Sequence, residues 1–526
     1  MSSVEAATAP GREGGPGERR GRRAGRGERG RAGFRQPPPR QPRLRYPPVA
    51  AVSADELEAV HEASLDILEE IGMDVLLPEA RAILKTAGAE VEPDGQRVRM
   101  ERGLVLEAVA KAPATYRLHA RNPTRDLEIG GDRIVFGQVS SPPNCSDLDR
   151  GRRPGNHADF RDLIRLTQSL NILHFVGGYP VEAIDVHPDI RHLECLRDFV
   201  VLTDKPFHAY SLGWKRIRDG IEIARIARGV TREQLEREPS LVTVINTSSP
   251  LRLDSPMAAG IIEMARAGQI STITPFTLAG AMAPVTVAGA VAQQNAEALL
   301  SIALAQVVRP GAPVIYGGFT SNVDMKSGAP AFGTPEYMKA VLLGGQLARR
   351  YRLPYRSSNA NASTCVDAQA AYESVFSLWA VVMGHANLIK HAAGWLEGGL
   401  VASFEKLIID ADNLQMVAEF LEPLVVDEAS LGLDAIREVG PGGHFFGCAH
   451  TLERYSTAFY APIVSDWRNY ESWREAGAPD AAHRANRIWK ELLAAYEPPP
   501  LDPGIKEELD AFVARRIEEG GAPNEF

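Results

Sequence analysis

From about residue 160 onward, eight apolar strand-like segments alternate with seven helical ones. That alternation predicts an α/β chain, a (β/α)8 barrel of the TIM type, with an α+β amino-terminal portion and C-terminal helices. Two further observations support the barrel. Pro313 to Tyr316 reads as a buried strand that opens into a loop dense in Gly, polar groups and aromatics, before a helix starts at Thr334-Pro335. In barrels, loops that follow strands in this way carry the chemistry. Asp254-Ser255-Pro256 and Thr334-Pro335 each place a capping side chain ahead of a proline in the first helical turn. An open, doubly wound sheet shows the same alternation, but no GxGxxG follows the first strand.

The elements follow in order. Residues 1–45 hold twelve Arg and four Glu and no Asp or Lys, so they carry +8. Because the whole chain carries −9, the remainder carries −17. This stretch is rich in Gly and Pro and poor in large apolar residues, so burial cannot offset its ordering entropy and it is predicted to be a disordered tail. Arg-Gly tails can bind RNA, but no aromatic nucleic-acid motif accompanies this one, which argues against such a role.

Residues 46–160 read as an α+β portion. Leu57, Val60, Leu65, Leu68 and Ile71 follow a helical period that Gly72 ends, and Ser53 with Glu56 is a capping-box signature. Helices follow near 78–87 and 102–111, then short extended pieces at 116–120 and 134–136.

Residues 161–463 hold the barrel. Its strand candidates are 172–179, 206–211, 241–247, 270–278, 313–319, 354–358, 387–393 and 444–449. Its helices are 187–202, 214–228, 256–267, 286–308, 335–351, 367–383 and 403–421. Residues 464–526 are predicted to wrap the outside as a C-terminal helical extension.

The 526 residues are enough for a large barrel plus additions, and 44% hydrophobic with 24% charged content is ordinary for a globular protein. No uninterrupted apolar run reaches about 18 residues, which predicts no membrane span. The start lacks the apolar core of a secretory signal, and four scattered cysteines without a CxxC pair suit reduced thiols, so a cytoplasmic location is expected.

A barrel places its site where the strands end. Those ends contribute His208 and Tyr210; Asn246; Phe276; Tyr316, Phe319 and Asp324; Arg356; and His391, Trp395 and Glu397. The chain is only 7% aromatic, yet most of these ends supply a ring. Aromatic faces suit a quaternary ammonium, because ring quadrupoles attract a cation that has no proton to donate. Tyr316, Phe276 and Trp395 are therefore candidates for a cation cage, with Tyr210 beside them. His391 could donate a hydrogen bond to a carboxylate, and Arg356 is a further substrate-binding candidate at its strand end. His391, Glu397 and Asn246 are the candidate catalytic, orienting residues. His444, Cys448 and His450 share a spacing that invites zinc, but a metal site needs three or four converging groups, so no metal is expected. No Ser-His-Asp elbow, P-loop or HExxH occurs.

Several stretches together resemble the trimethylamine methyltransferase family: Ala63 to Met73, Ala120-Arg121-Asn122-Pro123, the loop 316–336, Gly394-Trp395-Leu396-Glu397-Gly398-Gly399, and Gly440-Pro441-Gly442-Gly443-His444-Phe445. The resemblance covers about residues 48–500. It implies a (β/α)8 barrel that moves a methyl group from a methylated amine to the Co(I) of a separate corrinoid protein. Gly317, Gly318, Asp324 and His444 would then lie at the corrinoid-facing mouth. The corrinoid would belong to the partner, and self-association is open. The archaeal members carry pyrrolysine, whose counterpart here falls near Cys365-Val366, and neither residue can form its amine adduct. The resemblance thus points to a quaternary, glycine-betaine-like amine, which needs no activation. A tetrahydrofolate acceptor or a non-catalytic methylamine-binding protein are the rival readings.

Overall fold

The strands of the central sheet are short and parallel. In the computed structural model, which describes residues 36–523, they are β1 (Val135–Phe136), β2 (Phe207–His208), β3 (Leu241–Ile245), β4 (Ile270–Ile273), β5 (Val314–Gly317), β6 (Tyr355–Ser358) and β7 (Leu388–Lys390). Their order across the sheet is β1-β7-β6-β5-β4-β3-β2, and every neighbouring pair is parallel. The sheet curls, so its two edges face residues 175 and 176. Phe175 bridges Gly137 just beyond β1, and Val176 bridges Phe207 on β2.

A helix follows each strand. Seven of them lead on to the next strand: α1 (His157–Ser169) and α2 (Pro188–Leu202) on either side of residues 175–176, then α3 (Trp214–Arg228), α4 (Ser255–Arg266), α5 (Val287–Val308), α6 (Pro335–Arg350) and α7 (Ala368–Met383). α8 (Phe404–Phe420) follows β7. The capping signals act as read: Asp254 accepts from the Met257 amide and Thr334 from the Tyr337 amide, each with proline in the first turn.

The bottom of the sheet is sealed by an antiparallel hairpin, Thr115–Leu118 with Leu127–Gly130. Its Leu118, Leu127 and Ile129 pack with Val242, Ile270, Ile315 and Leu388 from successive strands in one buried cluster. Tyr116 Oη donates to the Val314 carbonyl, 2.9 Å away. Water is thereby kept from the lower end of the sheet, and the upper end is left for a site.

The amino-terminal helix Ala54–Asp66 has the expected capping box at Ser53 and Glu56 and runs on into a π-helical turn, Ile67–Ile71, which Gly72 closes at φ 74°. Of the predicted tail, residues 1–35 lie outside the described residues. Residues 36–45 are a correction: they pack on the body. Gln36 donates to the Ser169 carbonyl, Gln41 to the Glu128 carbonyl, and Leu44 is buried.

Two other expectations are corrected. Residues 444–449 form no strand. They make a 3-10 turn, Phe445–Gly447, and enter the helix Ala449–Arg454 in an exposed segment. An apolar pair such as Phe445-Phe446 resembles a strand in sequence, but here it faces solvent. The seventh sheet partner is instead β1, which lies within the portion 46–160, so the boundary drawn at 160 cuts through the sheet. After residue 464, Ala481–Ala495 packs on α8 with Trp489 5.0 Å from Phe404, and Pro503–Glu518 is tied to α2 and α3 by Asp510–Arg197 and Arg516–Asp219 ion pairs. Among the described residues, no helix is long and apolar enough to cross a membrane.

Candidate active site

Strand side chains alternate between the two faces of the sheet, and that parity builds the site. Ile315 and Leu388 point into the sheet's interior. Lys390, two residues beyond Leu388, shares its face, and so does Arg356, the ladder partner of Leu388. With His208 from β2 they reach into a cavity of about 380 Å³ at the C-terminal ends of the strands.

The floor of this cavity is basic. Arg356 is 2% exposed and Lys390 3% exposed, and neither forms an ion pair among the described residues. The Nε and Nη1 groups of Arg356 have no hydrogen-bond partner. His208 Nε2 accepts from the Val244 amide at 3.1 Å, so the proton sits on Nδ1, which has no partner either. Burial lowers the pKa of Arg356 to about 10 and pushes Lys390 and His208 well below their ordinary values. None of the cavity-lining residues is Asp or Glu. Buried donors that lack an acceptor are costly, and an anion in the cavity would offset the charge of Arg356.

Above the floor stands an aromatic wall. Phe276 stacks on Phe319 with centroids 5.4 Å apart, and Phe319 lies 5.9 Å from Trp395. Trp395 is held in place because its Nε1 donates to the Asn361 carbonyl at 2.9 Å, while Asn361 Nδ2 donates to the Trp395 carbonyl at 2.8 Å. Tyr210 meets His208 edge-on at 4.5 Å, and its hydroxyl is 2.6 Å from Ser141 Oγ. The wall carries no formal charge. It can face a cation through its ring quadrupoles while the floor holds an anion.

His391 lines the same cavity, with Nδ1 3.0 Å from Ser358 Oγ and Nε2 3.1 Å from Ser140 Oγ. Burial, with the neighbouring Arg356 and Lys390 charges, holds its pKa well below the usual value, so the ring is neutral. Both nitrogens are engaged by hydroxyls, and a substrate would have to displace one to reach it.

The structure therefore brings together Asn246, Phe276, Trp395, Tyr210, Arg356 and His391 from the sequence reading. Six other candidates fall elsewhere. Tyr316 has the opposite parity to Ile315 and points away from the sheet's interior. Its hydroxyl donates to Asn295 on α5 at 2.9 Å, and its ring packs on Tyr351 and Tyr355. Glu397 pairs with Arg152 at 3.0 Å outside the cavity lining. Gly317 does not line the cavity: a Cβ there would strike Thr274 Oγ1 and the Ile273 carbonyl, so it serves strand packing. A Cβ on Gly318 would strike Gln294 of α5. Asp324 is exposed and caps its own turn through Ser327. His444 lies in the exposed segment after α8, and it does not converge with Cys448 or His450, which bond Thr451 and Ala429. Cys365 is exposed in the loop before α7 and is not a lining residue.

Sequence reasoning missed Lys390, Ser140 and Ser141 and did not select Phe319 for the cage. A lysine at the end of the apolar run Leu388-Ile389 was the available signal, since burying its charge demands a reason.

The model of the family described as trimethylamine methyltransferase (MTTB) matches residues 18–521. The glycine betaine methyltransferase of Desulfitobacterium hafniense is 37% identical over 471 residues, which cover 89% of this chain and 98% of that protein. A trimethylamine methyltransferase MttB of the same species is 29% identical, covering 90% and 95%. The one from Methanosarcina thermophila is 28% identical, covering 87% and 95%. The crystal structure of the Methanosarcina barkeri monomethylamine methyltransferase aligns over 86% of this chain and 90% of its own, at 9% identity and a TM-score of 0.49.

Proposed function

The chain belongs to the trimethylamine methyltransferase family and is a methyltransferase, and from that premise we propose that it takes a methyl group from a carboxylate-bearing quaternary amine of the glycine betaine type and delivers it to a corrinoid protein in the cytoplasm. One observation carries the reading. Arg356 and Lys390 are buried basic side chains that form no ion pair among the described residues, set beneath an uncharged aromatic wall. A zwitterion with an acid at one end and a trimethylammonium at the other satisfies both halves of the cavity. Trimethylamine satisfies only the upper half, and it would leave the buried Arg356 guanidinium without a counter-ion.

In this reading the carboxylate pairs with the guanidinium of Arg356 and with Lys390, both of which line the cavity. The ammonium then sits against Phe276 and Trp395, with its methyls directed to the open end. Ion pairing at the floor and ring contact at the wall orient the substrate, and orientation is the main thing the chain contributes. As the methyl leaves, the C–N electron pair stays on nitrogen and the product is a neutral tertiary amine. No proton need reach the nitrogen, so a neutral His391 is compatible with the step.

The partner's corrinoid would supply the nucleophile that accepts the methyl. The rim fits its approach. Gly398 and Gly399 line the opening without side chains, and a Cβ on Gly399 would strike the Trp395 ring at 2.6 Å. We read the sheet as a complete (β/α)8 barrel, with residues 175–176 as the remaining strand, on the support of the two bridges at Phe175 and Val176.

Calorimetric binding of glycine betaine, choline and trimethylamine to the purified chain, followed by transfer assays with reduced cobalamin, tests the proposal. Tight binding of betaines alone, with cobalamin methylation, is the expected result. Betaine binding without transfer to cobalamin would remove the corrinoid acceptor. Equal binding of choline and glycine betaine would remove the carboxylate site.

A further inference from the structure

The chain carries two apolar surfaces that nothing in the described structure covers. The first is a segment of residues 422–459 that follows α8. It contains the short helices Glu428–Leu431, Leu433–Val439 and Ala449–Arg454. Both of its ends are fixed near α8: Glu422 pairs with Arg40 at 3.0 Å, and Ile463, just past the far end, donates its amide to Asp412 at 2.9 Å. Between the ends, the hydrogen bonds and ion pairs of residues 423–459 stay within the segment, as in the Asp427–Ser430 capping box and the His450 contact with the Ala429 carbonyl at 3.0 Å. It is thus an ordered arm, and it turns its large side chains outward. Leu424 is 88% exposed, Phe446 84% and Phe459 87%.

The second surface is the outer face of α7. Tyr372, Val375, Phe376 and Trp379 are all exposed and recur at i, i+3, i+4 and i+7, the spacing of a helix stripe made to be covered. The one charged residue of α7, Glu373, is turned inward and accepts from the Ala362 and Ser363 amides. Phe420 at the end of α8 extends the stripe, 5.0 Å from Trp379, and Tyr46 stacks on Phe420 at 4.8 Å.

We propose that these surfaces are the two halves of one reciprocal interface, in which the arm of each copy lies on the α7–α8 face of a second copy of this chain. Three arguments select a second copy. The surfaces meet at α8, so a two-fold axis beside that helix carries each arm onto the other copy's stripe and covers all four surfaces at once. Aromatic side chains expose roughly 150–250 Å² each when free, so arm and stripe together offer on the order of 1,000 Å² per copy, above the roughly 800 Å² per partner of a standard interface. Trp379 and Phe420 lie in the last turns of helices that run back from the cavity end of the strands. A second copy seated there leaves the cavity mouth free for a methyl acceptor.

The test uses the full chain in sedimentation velocity at micromolar concentration. Wild type is expected to run as a dimer or an even multiple of it. Phe446→Asp with Phe459→Asp, and separately Phe376→Asp with Trp379→Asp, should each weaken the dimer at least about tenfold. An equimolar mixture of the two variants should recover a heterodimer, because one intact arm then meets one intact stripe. These side chains are exposed, so thermal unfolding should stay near wild type. Benzoylphenylalanine at position 446 gives a readout that needs no destabilising variant: it should cross-link to peptide 368–383 of an isotopically distinct copy. A monomeric wild type, a dimer that survives the arm substitutions, or cross-links that never join two copies would overturn the proposal.

Discussion

The Arg356 guanidinium lies over the Phe319 ring, 5.5 Å from its centroid, where the floor of the cavity meets its wall. The contact fixes the direction of a long cation without giving it a hydrogen-bond acceptor. It also ties down Phe319, which Phe276 stacks against, and leaves Phe276 and Trp395 as the rings best placed to meet a substrate ammonium.

Arg356→Gln tests the floor directly. Charge-assisted hydrogen bonds contribute about 1.5–3 kcal/mol, so glycine betaine affinity should fall roughly 10- to 100-fold. Any binding of choline, which lacks the carboxylate, should change little. Equal losses for both ligands, measured by calorimetry, would mark Arg356 as structural only.

Lys390 predicts a proton linkage. Burial lowers its pKa well below the ordinary value, and a carboxylate bound beside it would offset that effect. Binding of a betaine should therefore take up protons, and affinity should fall as pH rises through the Lys390 pKa of the free enzyme. Calorimetry in two buffers of different ionisation enthalpy measures the uptake. It should vanish in Lys390→Met.

The buried histidines predict acid lability. His174 Nδ1 accepts from the Phe136 amide at 3.1 Å and Nε2 donates to the Arg40 carbonyl at 2.8 Å, so the ring is needed neutral. Burial lowers its pKa to about 3. His208 and His391 are depressed in the same direction. The folded pKa lies below the unfolded value, so the unfolded chain binds more protons and stability drops as pH falls below about 6.5. Each such group should cost about 1.4 kcal/mol per pH unit until its folded pKa is reached. Urea midpoints at pH 7.5 and 5.5 check this. His174→Gln should flatten the dependence.

Trp395 and Tyr316 should separate cleanly. Trp395→Leu removes a ring from the cavity wall and should weaken quaternary amine binding about 3- to 30-fold, in line with about 0.5–2 kcal/mol for a desolvated cation–π contact. Tyr316→Phe removes the hydrogen bond to Asn295 behind the strand. It should cost about 1 kcal/mol of stability and leave binding unchanged. A binding defect in Tyr316→Phe would show that the cage extends through the sheet.

Strand and helix order was legible in the chain from residue 187 to 421, because apolar runs, capping residues and prolines are local signals that local geometry obeys. That Trp395, Phe276, Arg356 and His391 would come together was legible for a related reason: they stand where buried strands end, and the curled sheet collects such ends around one cavity. β1 was read as a short extended piece at 134–136 but not as a member of the central sheet, since two paired residues cannot show which strands they join, and the run at 444–449 misled because apolar residues on an exposed arm look the same as core in sequence. What only the tertiary structure decided was facing. Tyr316 and Phe319 are three residues apart in one aromatic loop, yet one points to α5 and the other into the cavity. A one-residue shift of strand phase exchanges the two faces of a sheet, and the phase is set by pairing with distant strands, such as Arg356 against Leu388. Likewise, the sequence marks Lys390 as a buried charge, but only the fold surrounds it with Arg356 and His208 and no carboxylate, a juxtaposition of strands that lie far apart along the chain.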